Sequence, residues 1–350
     1  MPETPEQALL RTRVDAVLRE FVREEADRLA AVDADLLPVA EQLSVAVAGG
    51  KRLRAAFCYW GWRAAGQPDS DALVRAAAAM ELLHAAAVVH DDLIDESPTR
   101  HGVPSAHAAL GAALGGRARP QAGGRALAML TGDLLIAWAA QMFLSCGLPS
   151  AYLSRARDLW AVMARELIAG ECLEVLRTGA PPDTARSLQV IRYKTAKYTV
   201  EHPLHIGGAL AGAPGTLMEA FTSYGLPLGE AFQLRDDLLG LFGDPERTGK
   251  SNLDDVRGNR PTALLAETWS ASTAAERREL RGLLGRRGLD GEGLERVRTI
   301  MLRTGAPERI EEMITLRVRA ANDALARADL PHGAAEALSL MVASAAARQS

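Results

Sequence analysis

The stretch His90-Asp91-Asp92-Leu93-Ile94-Asp95 closes a long apolar run that begins near Ala72 and contains almost no residue able to break a helix. On that helix Asp91 and Asp95 are four residues apart and share a face, with Asp92 about 100° round from Asp91. Three carboxylates this close make a hard-oxygen set. Zinc favours His and Cys at tighter spacing, whereas Mg²⁺ is held by one or two carboxylates while substrate phosphates and water fill its other positions. The stretch therefore suggests a Mg²⁺-diphosphate site. The alternative is an acidic helix end facing solvent, and the rest of the chain must decide between them. Upstream, His84, Ala87, Asp91 and Asp95 fall along one face, so a polar line crosses an otherwise apolar helix.

Working outward, Asp69, Ser70 or Asp71 can cap the start of this helix after Gly66-Gln67-Pro68. Before it stands Gly49-Gly50-Lys51-Arg52-Leu53-Arg54, two glycines ahead of a basic first turn. There backbone amides can approach an anion, and Lys51 and Arg54, three apart, are expected to point the same way, although taken alone the stretch also reads as an ordinary interhelix turn with solvated basic residues. After the acids, Glu96 to Gly102 reads as a loop that returns Arg100 over the carboxylates. Gly115-Gly116 to Gly123-Gly124 reads as a mobile connection leading to a helix from Ala126 to Cys146, and the helix Ser150 to Arg177 carries Glu166, Gly170 and Glu171. A further helix carries Lys194-Thr195-Ala196-Lys197. A second acidic helix carries Gln233, Asp236 and Asp237, with Gln233 on the side of the acids. No strand of convincing alternation and no fixed repeat is found, and the C-terminal part reads as more helix.

The composition agrees with a helical bundle. Of 350 residues, 48% are hydrophobic and only 5% aromatic, and the net charge of −4 gives no reason to expect nucleic acid or an anionic membrane as partner. Cys58, Cys146 and Cys172 are odd in number and far apart, which argues against a disulfide framework or a zinc site. The first residues show no basic flank before an apolar core, so no signal peptide is expected. The most membrane-like stretch, Leu127 to Leu148, is interrupted by Asp133 and Gln141 and reads as a buried helix rather than a span. The expectation is one all-α domain over residues 1–350, located in the cytoplasm.

Two Asp-Asp pairs, each at the end of an apolar helix and each followed by a basic loop, complete a pattern. It resembles the trans-prenyl diphosphate synthases, the head-to-tail chain-elongating branch of the class I isoprenoid synthases, from about Gly49 to Thr262. Gly49-Gly50-Lys51-Arg52-x-Arg54 looks like the family's G-G-K-R-x-R, and Glu81-Leu82-Leu83-His84 is similar to its E-L-x-H. Asp91, Asp92 and Asp95 match the first aspartate-rich motif, with Arg100-His101 after it. Lys194-Thr195 match the K-T pair, Phe232-Gln233-x-x-Asp236-Asp237 the second motif, and Lys250 the lysine of the following loop.

The resemblance implies the isoprenoid synthase fold, a helical bundle around a central apolar cavity, and a homodimer. It implies isopentenyl diphosphate held by Gly50, Lys51, Arg54, His84 and His101, and an allylic diphosphate held by Lys194, Thr195, Gln233 and Lys250. Three Mg²⁺ between Asp91, Asp92 and Asp95 on one side and Asp236 and Asp237 on the other, with Lys194, Lys250 and Arg100, would stabilise the departing pyrophosphate. The allylic cation is then attacked by isopentenyl diphosphate, and proton loss lengthens the chain by five carbons.

This chain departs from the pattern at three places: His101 stands for a second arginine, Gly240 for the third acid of the second motif, and Asn259 for a lysine, with Arg260 beside it. In the family a bulky aromatic four or five residues before the first aspartate stops product growth. Here those places are Ala87 and Ala86, with Leu83 and Met80 deeper, which points to geranylgeranyl diphosphate, with longer products as the main rival. The competing readings are a class I terpene cyclase, which has no need of Lys51, Arg54 and His84, and a weakly active partner subunit of a heteromeric synthase.

Overall fold

A serine starts the helix that carries the acids. In the computed structural model, which describes residues 4–100, 102–244 and 252–346, Ser70 lies in extended backbone and accepts a hydrogen bond from the Leu73 amide. The helix then runs from Asp71 to Ile94, with Asp95 as its C-cap. Asp91 and Asp92 thus lie in its last turn.

The preceding helices are α1 (Pro5–Ala30), α2 (Leu37–Ala46) and α3 (Leu53–Ala64), and the acidic helix is α4. There follow α5 (Ala106–Ala113), α6 (Pro120–Leu144), α7 (Ser150–Arg177), α8 (Thr184–Val190), α9 (His202–Ala211) and α10 (Gly215–Phe242). Shorter and longer helices continue to Ala346. Thr4 caps α1 in a reciprocal pair with Gln7. Contrary to the reading of the sequence as free of strands, Thr99–Arg100 pairs antiparallel with Val103–Pro104. This short ladder turns the chain straight back after the acids.

Helix α4 lies at the centre because its middle turns are rich in alanine and buried on every side. Ala76, Ala77, Ala78, Ala79, Met80, Leu82, Leu83 and Ala86 are all buried, and α4 packs against α6 and α3. Alanine on a helix face lets neighbouring axes approach closely. A second apolar cluster joins Leu234, Leu238 and Leu241 of α10 to Leu264, Val297, Ile310 and Ile314 of the later helices. The acids of α10 therefore stand on a base separate from that of α4.

The supposed mobile connection is shorter than the glycines suggested. Pro120 opens α6, so Gly123 and Gly124 are helical, and a β-carbon at 124 would meet the Gly111 amide of α5 at 2.5 Å. The glycines serve close packing there. Both α4 and α6 are long and apolar enough to cross a membrane by length and composition. Helix α4 is largely buried, but α6 is not the buried helix expected: Met129, Leu130, Ile136 and Leu144 are exposed on it.

Between α8 and α9 the chain widens into a π-helical segment, Ile191–Glu201. Such wide turns are rare and concentrate at functional sites. This one is gripped from two sides. A β-carbon at Gly170 on α7 would lie 2.4 Å from the Lys194 amide nitrogen, and one at Gly229 on α10 would lie 2.4 Å from the Ala196 Cα. Both contacts are to backbone, which cannot yield as a side-chain end can. Gly170→Ala or Gly229→Ala is expected to cost about 1–3 kcal/mol, read as a lower Tm. Gly282→Ala, where nothing lies within 4 Å, is the control and should leave Tm unchanged or raise it.

Candidate active site

Three cations gather the acids of α4. Arg100 Nε donates to Asp92 Oδ1 at 2.8 Å and its Nη2 to Asp91 Oδ2 at 2.9 Å, so the ladder does return the arginine over the carboxylates. Lys194 Nζ donates to Asp91 Oδ1 at 2.9 Å, and it also lies 2.8 Å from Glu171 and 2.6 Å from Glu174 on α7. Arg260 pairs with Asp95, reaches Asp255 at 3.3 Å and stands 4.0 Å from Glu174. The three cations thereby tie α4, α7, the π-helical segment and the chain after α10 around one mouth.

Electrostatics differ from acid to acid. Burial works against the charge of Asp91, but Lys194, Arg260 and Arg100 outweigh it and hold its carboxyl below the ordinary range. Asp95 is pushed up to about 7, first by burial and then by the nearby charges of Asp91 and Glu174, which Arg260 only partly offsets. Lys194 is raised above its usual value: burial opposes its charge, but Glu174, Asp91 and Glu171 prevail. It stays an ammonium. Arg260 is raised too, since Asp255, Asp95, Glu174 and Asp91 outweigh its burial.

The second acidic helix faces this group through a polar relay. Thr195 Oγ1 donates to Gln233 Oε1 at 2.9 Å, and Gln233 Nε2 donates to Asp237 Oδ1 at 2.8 Å. Gln233 and Asp237 are one turn apart on α10, as their spacing required. Burial raises Asp237 well above the ordinary carboxylate range, with Asp255 and Asp236 adding to the shift. Lys194-Thr195 thus touches both acidic helices at once, Asp91 through its lysine and Asp237 through its threonine.

A separate group forms upstream on α4. Arg54 Nη2 donates to Thr199 Oγ1 at 2.8 Å, and its guanidinium lies 4.5 Å from the centre of the Tyr198 ring. The His84 ring faces the same tyrosine, with centroids 6.4 Å apart. Burial, and then the charges of Arg54, Arg100 and Arg52, hold His84 well below its usual 6.5. Its imidazole is neutral near pH 7. The buried nitrogens Arg54 Nε and His84 Nδ1 have no protein partner.

Lys51 is not on the helix with Arg54, so their three-residue spacing does not set a common direction. Gly49, Gly50 and Arg52 all have left-handed backbone, and α3 begins only at Leu53. Lys51 lines a cleft with Gln7, Leu10, Leu53 and Met341, whereas Arg52 is buried on Asp15 and the Val47 carbonyl. Of the places considered for product length, Met80, Leu83 and Ala86 are buried and Ala87 is half-buried. His101 and Lys250 lie outside the described residues. Among the described residues, Glu174 and Tyr198 belong to the site but were not singled out from sequence. The Glu171/Glu174 spacing of three, within one turn of Gly170's close contact, was the signal for the former.

Comparison with known proteins places this geometry. Residues 38–301 match the family described as polyprenyl synthetase. A geranylfarnesyl diphosphate synthase from Aeropyrum pernix is 30% identical over 319 residues, covering 90% of this chain and 92% of that protein. An octaprenyl diphosphate synthase from Escherichia coli is 32% identical over 234 residues, 67% of this chain and 66% of that one. A geranylgeranyl pyrophosphate synthase from Corynebacterium glutamicum, crystallised with isoprenyl diphosphate and magnesium, superposes with a TM-score of 0.93. It shares 31% identity over 97% of this chain and 98% of its own. With the helical fold, the paired acidic helices and the matched span all in agreement, the chain belongs to the polyprenyl synthetase family.

Proposed function

We propose that the protein condenses isopentenyl diphosphate head to tail with an allylic diphosphate and releases a linear trans-polyprenyl diphosphate, geranylgeranyl diphosphate being the favoured product. The single observation that carries this reading is Lys194. Its ammonium meets Asp91, Glu171 and Glu174 while its neighbour Thr195 reaches Asp237 through Gln233, so one dipeptide joins both acidic helices.

The donor set fits divalent metal. Asp91, Asp92 and Asp95 on α4 and Asp236 and Asp237 on α10 offer oxygen only, which suits Mg²⁺. Among the described residues no three of these groups converge enough to hold an ion unaided. By likeness to the family the ions would be three in number, with diphosphate oxygens filling their remaining positions. Bound there, they would neutralise the charge that develops on the departing pyrophosphate.

The chain's own groups do the rest. Lys194 and Arg100, each now held by carboxylates, are placed to hold the allylic diphosphate, together with Thr195, Gln233 and Lys250. Arg54 and His84, with Gly50 and Lys51 before them and His101 beyond, receive isopentenyl diphosphate. A neutral His84 does this by hydrogen bonding rather than by charge. The apolar interior below the acids excludes water from the allylic cation.

Product length follows from α4. From Asp91 down to Ala86 the helix descends about 7.5 Å, and to Met80 about 16 Å. We read the small side chains at 86 and 87 as leaving the upper depth free for a growing chain and Leu83 and Met80 as the stop, with Ala86 and Met80 fully packed in this structure and Ala87 half-buried. The exposed apolar residues of α6 support a homodimer, since Leu130 at 55% and Leu144 at 66% exposure invite a second copy. We read the chain as one functional domain of the cytoplasm. A terpene cyclase is the weaker reading, because the Arg54, His84 and Tyr198 group serves a second diphosphate that a cyclase does not take.

Three outcomes test these statements. With Mg²⁺, isopentenyl diphosphate and each allylic diphosphate in turn, mass analysis should find a linear twenty-carbon diphosphate, and Asp91→Ala should abolish it while circular dichroism stays helical. Surviving activity in that variant rejects the metal assignment. Ala86→Phe should shorten the product, and an unchanged length rejects the account of the pocket. The third outcome concerns His84. Below pH 6.5 the unfolded chain takes up a proton that the folded protein refuses, so this group leaves folding unaffected above about pH 6.5 and costs stability as pH falls below it. Proton NMR should show the His84 ring still neutral at pH 6, and a midpoint near 6.5 would contradict its placement.

A further inference from the structure

Residue 240 is where the second acidic motif lacks its third carboxylate, and the structure shows what fills that place. A β-carbon at Gly240 would lie 2.7 Å from Asp255 Oδ2, closer than real side chains approach. The Asp255 carboxylate therefore occupies the space into which a side chain at 240 would project. An acid at 240 would have to turn that carboxylate aside.

Asp255 is fixed in that place. It stands on the short helix Asp254–Arg257, whose Val256 is buried in the second apolar cluster. Its main-chain carbonyl accepts the Arg260 amide at 3.1 Å, and Arg260 Nη1 lies 3.3 Å from its Oδ1. One carboxylate oxygen is thus engaged by Arg260 and the other, Oδ2, is turned to Gly240. Arg260 in turn pairs with Asp95 across the mouth, so Asp255 belongs to the same charged ring as the α4 acids.

We propose that Asp255 is the third carboxylate of the second acidic set, delivered from the chain after α10 into the space that Gly240 leaves, and that it helps hold the divalent ion on the diphosphate. The inference rests on the function proposed above. It reads Gly240 as the partner of Asp255, not as a lost ligand. A chain with Asp at 240 would have to turn the Asp255 carboxylate away from this place and from Arg260, and a chain with Gly at both positions would lack the carboxylate altogether.

The test uses the full-length protein, inorganic pyrophosphate and Mn²⁺, followed by electron paramagnetic resonance and calorimetry. Asp255→Asn should weaken Mn²⁺ binding in the presence of pyrophosphate by about tenfold or more, while pyrophosphate binding without metal changes little. Gly240→Asp alone should lower Tm, because it places a second acid in an occupied space. Gly240→Asp combined with Asp255→Gly should bring Mn²⁺ binding back close to that of the unaltered protein. Unchanged Mn²⁺ binding in Asp255→Asn, or a double variant no better than Asp255→Gly alone, overturns the assignment. An equal loss of metal-free pyrophosphate binding also overturns it, since Asp255 would then act only through Arg260. If the unaltered protein takes up no Mn²⁺ with pyrophosphate, the metal-site reading itself falls and this inference with it.

Discussion

The ammonium of Lys194 against Asp91, Glu171 and Glu174 is the contact on which the rest of the site depends. One cation among three carboxylates stabilises groups that could not share so small a space uncompensated. It fixes the height of α4 relative to α7 and of both relative to the π-helical segment. The wide turn at Ile191–Glu201 and the missing side chains at Gly170 and Gly229 are the local means by which that lysine is set at the mouth. Removing bulk at those glycines and adding charge at Lys194 are two parts of one arrangement.

From that contact the charges divide by depth. At the mouth, Arg100, Lys194 and Arg260 alternate with acids of α4, α7 and the chain after α10. Below it, Arg54 and His84 gather around Tyr198, and His84 is neutral because burial and neighbouring arginines oppose its charge. Deeper still, α4 presents alanine and methionine. The order from charged to neutral to apolar is the order that a diphosphate with a hydrocarbon tail requires.

Much of this could be read from the chain. The spacing of Asp91, Asp92 and Asp95, the position of His84 on the same helix, and Gln233 one turn from Asp237 depend only on helical periodicity, and the structure keeps them. The return of Arg100 followed from the Pro and Gly around it. Other features failed to show because they depend on neighbours distant in sequence. Lys51 and Arg54 looked like a helical pair, but left-handed backbone at Arg52 starts the helix too late for both to share it. Helix α6 looked buried from its hydropathy, yet hydropathy does not say whether an apolar face meets this chain or another copy.

The sequence by itself therefore determined an all-α chain with two acidic helix ends and the residue types of a diphosphate site, because local periodicity and charge suffice for both. Only the tertiary structure decided which cation serves which acid. Arg260 rather than Asn259 answers Asp95 from 165 residues away, and Asp255 stands over Gly240. Such pairings depend on how separate helices are docked. That docking is set by close contacts at a few small residues, whose importance cannot be seen until their partners are in place.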